Sequence, residues 1–218
     1  ETKSSYSAEA IASDGTNASA QTISITIVNV NEFAPTFTSS SSFTVAENQT
    51  TGPTITASDA DGDTLTYSIS EGTDASSFEI NSSSGAITFK TAPDYETKSS
   101  YQLSVRASDG TNIAAQDITV NIGNLNEHAP SLSLNSPVSV NEGSTAVTTA
   151  TATDADGDET ITFSIFDTGN SCTDNDLFSI GESTGVITFK SAPDYENPAD
   201  SDADNEYALC IKASDNGG

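Results

Sequence analysis

A letter-for-letter internal repeat constrains this chain more than any other feature. Glu1 to Tyr6 recurs as Glu96 to Tyr101, and Ala12 to Asn17 recurs as Ala107 to Asn112, both at a shift of 95 residues. The same shift carries Asn31-Glu32 onto Asn126-Glu127, Pro35 onto Pro130, Glu47 onto Glu142, and Asp59 to Asp63 onto Asp154 to Asp158. Further along the shift grows to 100, where Gly185 to Lys190 answers Gly85 to Lys90 and Ala192 to Glu196 answers Ala92 to Glu96. The last copy has therefore gained residues, mostly between Asp167 and Asp176. A second insertion after Glu196 is rich in Asp200, Asp202, Asp204 and Glu206. A chain built this way folds as a string of like units.

Inside a unit, apolar residues alternate in the manner of half-buried strands. In the middle copy the pattern predicts strands at Phe43 to Val45, Thr54 to Ala57, Leu65 to Ile69 and Phe78 to Ile80. Others follow at Ala86 to Phe89, Gln102 to Ala107 and Ile118 to Ile122. Leu65, Tyr67, Ile69, Leu103, Val105 and Ala107 should point inward. Turn residues part the strands at Asp61-Gly62-Asp63, Ser84-Gly85 and Asp109-Gly110. Seven short strands per unit fit tandem seven-stranded Greek-key β-sandwiches of an all-β class better than a barrel or solenoid. Expected boundaries make 1–31 the end of one repeat, 32–126 a whole repeat, and 127–218 a repeat lacking its last strand.

Charge narrows the function. With 6 Lys and Arg against 32 Asp and Glu, the net charge is −26, which excludes nucleic acid and disfavours an anionic membrane surface. No run of about 18 apolar residues exists for membrane insertion. The chain opens on Glu1 with no leader, which reads as a piece of something longer.

The most faithfully repeated residues are acidic and lie in linkers and at strand ends. Asn29-Val30-Asn31-Glu32-Phe33-Ala34-Pro35-Thr36-Phe37 and Asn124-Leu125-Asn126-Glu127-His128-Ala129-Pro130 are two copies of one linker. Glu47 follows a first strand, Asp59-Ala60-Asp61 and Asp154-Ala155-Asp156 form Asp-x-Asp pairs, and Asp94-Tyr95-Glu96 and Asp109-Gly110 complete the set. In this order the motifs resemble the cadherin repeat family, whose junction reads Asp-x-Asn-Asp-Asn-x-Pro-x-Phe. The near-identical copies look more like bacterial surface proteins of that type than animal cadherins.

The resemblance implies Ca²⁺ held between neighbouring repeats. Ca²⁺ takes about 6–8 oxygens at roughly 2.3–2.6 Å, more than one loop supplies. At the second junction the implied ligands are Glu47, Asp94, Glu96, Asn126, Glu127, Asp154, Asp156 and Asp215, with His128 in a position that resembles a main-chain carbonyl donor. The seven acids among them would repel and raise one another's pKa without cations, and three Ca²⁺ would bring six positive charges. At the first junction they are Glu1, Asn31, Glu32, Asp59, Asp61 and Asp109, with Phe33 in the His128 position. The outward end, Glu142, Asp194 and Glu196, should bind weakly. Glu32 and Glu127 replace the family's bridging Asp with a longer arm. Asp59-x-Asp61-Gly62-Asp63 is no EF-hand loop, because its Gly comes too early and Ser70 occupies the twelfth position.

Cys172 in the inserted loop and Cys210 on the penultimate strand are expected to form a disulfide, as suits an extracellular protein. Catalytic motifs are missing, and carboxylate pairs in exposed clusters lack the apolar pocket that acid–base work needs. The favoured function is a calcium-stiffened adhesion stalk or spacer. A calcium-dependent glycan-binding module and a homophilic adhesion domain are the alternatives. The expected partners are calcium, neighbouring repeats, and a cell-surface protein or glycan.

Overall fold

The computed structural model describes residues 5–157, 160–166 and 172–215. The chain divides into two compact units, Glu1–Pro93 with Ser100–Ile122 and Asp94–Ser99 with Gly123–Gly218. Among the described residues the regular structure is β-strand with two short 3₁₀ turns.

The first unit opens with a hairpin of β1 (Ser5–Ser13) and β2 (Ala18–Thr26), paired from Ser5 with Thr26 to Ser13 with Ala18. Its turn is made by Asp14, whose Oδ1 accepts the N–H groups of Thr16 at 2.9 Å and Asn17 at 2.7 Å. Then come β3 (Thr36–Phe37), β4 (Ser42–Ala46), β5 (Thr51–Thr54), β6 (Ala57–Ser58) and β7 (Thr66–Glu71). They are followed by β8 (Phe78–Ile80), β9 (Ala86–Phe89), β10 (Ser100–Ser108) and β11 (Ile113–Gly123). One sheet runs in the order β4-β11-β10-β7. Facing elements pair as β5-β9-β8 and β3-β6.

The β10–β11 register, Ser100 with Asn121 to Ser108 with Ile113, is the β1–β2 register moved by the repeat shift. Asp109 remakes the Asp14 turn, its Oδ1 accepting from Thr111 at 2.7 Å and Asn112 at 2.6 Å. Short polar side chains that bond their own backbone two and three residues on are what make such turns.

Six of the expected strands stand where the alternation put them. The seventh, Thr54 to Ala57, divides into β5 and β6, and Thr36–Phe37 adds a short strand. Ile55 and Thr56 explain the division: the Ile55 N–H goes to the Gly85 carbonyl while the Thr56 carbonyl takes the Thr38 N–H. The chain thus changes partners from β9 to β3. Gly85 permits this, with φ of 70° and no room for a Cβ beside the Ile55 carbonyl oxygen. Gly185 does the same at Ala150, with φ of 63°.

The core holds Ile55, Tyr67, Phe78, Ile87, Phe89, Leu103, Val105, Ala107, Ile118, Val120 and Ile122. The inward set expected on Gln102 to Ala107 is therefore the buried one, while Leu65 and Ile69 are half-buried. Each buried branched or aromatic side chain contributes about 1.5–3 kcal/mol. The Tyr67 hydroxyl is not left unpaired, since it accepts the Ala57 N–H at 3.1 Å.

The second unit contains β12 (Ser131–Ser133), β13 (Ala146–Thr149), β14 (Thr151–Thr153), β15 (Thr162–Ile165), β16 (Phe178–Ile180), β17 (Val186–Phe189) and β18 (Ile211–Ser214). Pairings β12-β14, β13-β17-β16 and β15-β18 follow the scheme of the first unit. Ala150, Phe163, Phe178, Ile187 and Phe189 form its core. Cys172 and Cys210 are bridged, with Cα atoms 5.4 Å apart. Cys210 lies just ahead of β18, and the expected insertion is described only from Cys172 onward.

Candidate metal centres

Both linkers are tied down by an aspartate of the Asp-x-Asp pair. In the first unit, Asp61 Oδ2 accepts the N–H groups of Glu32 at 2.9 Å and Phe33 at 2.8 Å. Asn29 Nδ2 donates to the Asp61 carbonyl at 3.0 Å. In the second unit, Asp156 Oδ2 accepts from Glu127 at 3.2 Å and His128 at 2.9 Å, and Asn124 Nδ2 donates to the Asp156 carbonyl at 3.0 Å. Asp59 Oδ1 and Asp154 Oδ1 each accept the N–H two residues on, both at 2.9 Å. Hydrogen bonds from backbone N–H groups fix the carboxylates without neutralising them.

Around the first linker, Asp59, Asp61 and Asp63 bring carboxylate oxygens within 4.8 Å of one another. The Asn112 amide gathers the rest, donating to Asn31 Oδ1 at 2.8 Å, the Phe33 carbonyl at 3.2 Å and Asp109 Oδ2 at 3.2 Å. Burial, then the charges of Asp59, Asp61 and Asp109, hold the Asp63 carboxyl above its usual range. Burial pushes Asp109 the same way, but the Asn112 and Thr111 N–H groups outweigh it and leave that carboxyl below the usual range.

In the second unit, Glu96, His128 and Asp156 converge within 4.8 Å. His128 Nδ1 meets Asp156 Oδ1 at 2.9 Å, the carboxylate being fully buried and the ring half-exposed. Burial raises the Asp156 carboxyl, yet the His128 ring and the two linker N–H groups together bring it below the ordinary value. The bond to Asp156 in turn lifts the imidazole against the opposing effect of burial.

In the metal-free protein this pair stabilises the fold fully from the ordinary carboxylate range, above the depressed Asp156 value, up to the unfolded histidine value of about 6.5. The contribution is lost as pH rises through the elevated folded value, and ring exposure keeps it small. An NMR titration in chelator should show His128 changing charge at higher pH than an ordinary histidine. Asp156→Asn should return it to the ordinary range.

The remaining candidates fall as follows. Glu47, after β4, is buried at 2 % exposure. Asp94 is held below the usual range by the Thr97 N–H at 3.0 Å and the Thr97 hydroxyl. Asp215 is half-buried after β18, and Asn126 is exposed. Glu1 lies outside the described residues. Glu142, Asp194 and Glu196 do cluster, all exposed, with Glu142 Oε2 accepting the Tyr195 N–H at 3.1 Å. Sequence reading missed Asp63, Asn29, Asn112 and Asn124, although Asn29 and Asn124 are related by the repeat shift.

Cations suit this arrangement. Asp59 Oδ2, Asp63 Oδ2 and Asp154 Oδ2 are buried with no hydrogen-bond partner. Such atoms are costly unless something satisfies them, and hard oxygen ligands suit Ca²⁺ or Mg²⁺.

Comparison with known proteins agrees with the motif order. The Cadherin domain family matches residues 41–123 and 136–218. The chain is 34% identical over 207 residues to mouse "Cadherin EGF LAG seven-pass G-type receptor 2", covering 89% of this chain and 7% of that protein. It is 33% identical over 208 residues to human "Protocadherin Fat 4", covering 88% of this chain and 4% of that one. The chain thus spans a small fraction of these relatives' length. Among solved structures, "Protocadherin Gamma B2 extracellular cadherin domains 3-6" aligns with a TM-score of 0.66 at 26% identity, covering 91% of this chain and 51% of that one.

Proposed function

The chain belongs to the cadherin family, and from that premise we propose that it is a run of calcium-binding repeats in the extracellular part of an adhesion protein. Its role in this reading is organisational rather than catalytic, as spacer or stalk. The repeats would begin near Glu32 and Glu127. Calcium would supply the charge that lets acidic groups of adjoining repeats converge, adding to the grip that Asp61 and Asp156 already have on the linker amides. Glu47, Asp94, Glu96, Asn126, Glu127, Asp154, Asp156 and Asp215 would serve one junction, with His128 beside them. Asn31, Glu32, Asp59, Asp61 and Asp109 would serve the other, with Glu1 and the Phe33 carbonyl.

One observation carries the reading: Asp59 Oδ2 and Asp154 Oδ2, equivalent atoms of two repeats, are both buried carboxylate oxygens without a partner. The disulfide supports an oxidising compartment, and no helix of the described residues is long and apolar enough to cross a membrane.

Melting curves with and without chelator test it. Extracellular modules bind calcium with Kd of about 10⁻⁴–10⁻³ M. At a free calcium tenfold above Kd, each site adds about 1.4 kcal/mol through RT ln(1 + [Ca²⁺]/Kd). Asp59→Asn and Asp154→Asn should each remove part of that gain. Identical melting in millimolar calcium and in chelator would refute the proposal.

A further inference from the structure

We infer that the loop Asp200–Glu206 is a separate calcium site, built within one repeat and independent of the linkers. The site arises from an insertion. Tyr101 packs edge-on against Phe78 and Phe89, with centroids 5.7 and 5.4 Å away, and Tyr207 repeats this against Phe178 and Phe189 at 6.2 and 5.1 Å. Between that tyrosine and the preceding glutamate, Glu96 or Glu196, the second unit has gained Asp200-Ser201-Asp202-Ala203-Asp204-Asn205 or its equivalent in length.

Asp200, Asp202 and Asp204 bring carboxylate oxygens within 4.8 Å of one another. Clustered acids alone mean little, but Asp200 is different. It is only 8 % exposed. Its Oδ2 accepts the N–H groups of Asp204 at 2.9 Å and Asn205 at 2.8 Å, which wraps the loop around the carboxylate. Its Oδ1 is buried with no hydrogen-bond partner. A buried carboxylate oxygen lacking a donor is costly to keep charged, and a cation shared with Asp202 and Asp204 relieves both that cost and their mutual repulsion.

The loop is also held in place. Buried Asp174 accepts the N–H groups of Ser201 at 2.9 Å and Ala208 at 2.8 Å. Asn205 Nδ2 donates to the Tyr195 carbonyl at 3.2 Å. Ala203 and Asn205 take φ of 64° and 68°, turning the chain so that alternate aspartates face one point. An all-oxygen ligand set suits Ca²⁺ rather than Zn²⁺.

The test is calorimetric calcium titration of the whole chain, with Glu-C proteolysis at Glu206 as a local readout. Asp202 is exposed, so Asp202→Asn should melt like the parent in chelator. The variant should lose one calcium equivalent, or bind it at least tenfold more weakly, and calcium should no longer protect Glu206. Asp154→Asn should keep that protection. If Asp202→Asn binds calcium as the parent does and calcium never slows cleavage at Glu206, the inference is wrong. If Asp202→Asn alone changes binding and Asp154→Asn does not, the loop site stands and the linker reading falls.

Discussion

Truncating Phe178 to alanine is expected to destabilise the second unit by about 3–5 kcal/mol, and Phe78→Ala to do the same in the first. The two side chains occupy equivalent places. Phe78 stacks tilted on Phe89 at 4.5 Å and Phe178 on Phe189 at 4.4 Å, and a tyrosine edge closes each trio. Both phenylalanines are 3 % exposed, so truncation removes aromatic contacts worth about 0.5–1.5 kcal/mol beyond area alone and leaves a void. The chain has no Trp, which lets Tyr fluorescence follow denaturation at fixed calcium. A loss under about 1 kcal/mol at either position would show that the trios are not core.

Replacing Cys172 and Cys210 together by alanine should cost the second unit about 4 kcal/mol. The bridge closes a loop of sequence separation 38, and constraint of the unfolded chain scales with the logarithm of that length. Native geometry is reinforced on both sides of Cys210: its N–H donates to Asn175 Oδ1 at 3.0 Å and its carbonyl accepts the Phe166 N–H. Urea midpoints of the double variant and the oxidised parent give the difference. Equal midpoints, or two titratable thiols in the native parent, would count against a structural disulfide.

What the sequence made legible follows from which forces are local. Alternation placed Leu103, Val105 and Ala107 in the core because a strand with one buried face has period two. Asp109-Gly110 announced its turn because an aspartate bonding its own backbone needs nothing distant. The division at Ile55–Thr56 was not legible, since it depends on which of two strands, β9 or β3, claims each amide. Asp63 read only as a turn residue, because the burial of its Oδ2 depends on how the chain packs around it and not on spacing. The Asn112 amide escaped notice: its partners Asn31 and Phe33 are distant in sequence. The Asp200 loop read only as an acidic insertion, because the buried oxygen that distinguishes it depends on how Asp174 and Tyr195 hold the loop.

The grip of Asp61 and Asp156 on the linker amides has a kinetic consequence. Those segments already follow a defined path before any ion arrives, so no backbone search separates encounter from capture. Capture of calcium at the proposed sites should then keep pace with diffusion, with an association rate that falls as solvent viscosity rises.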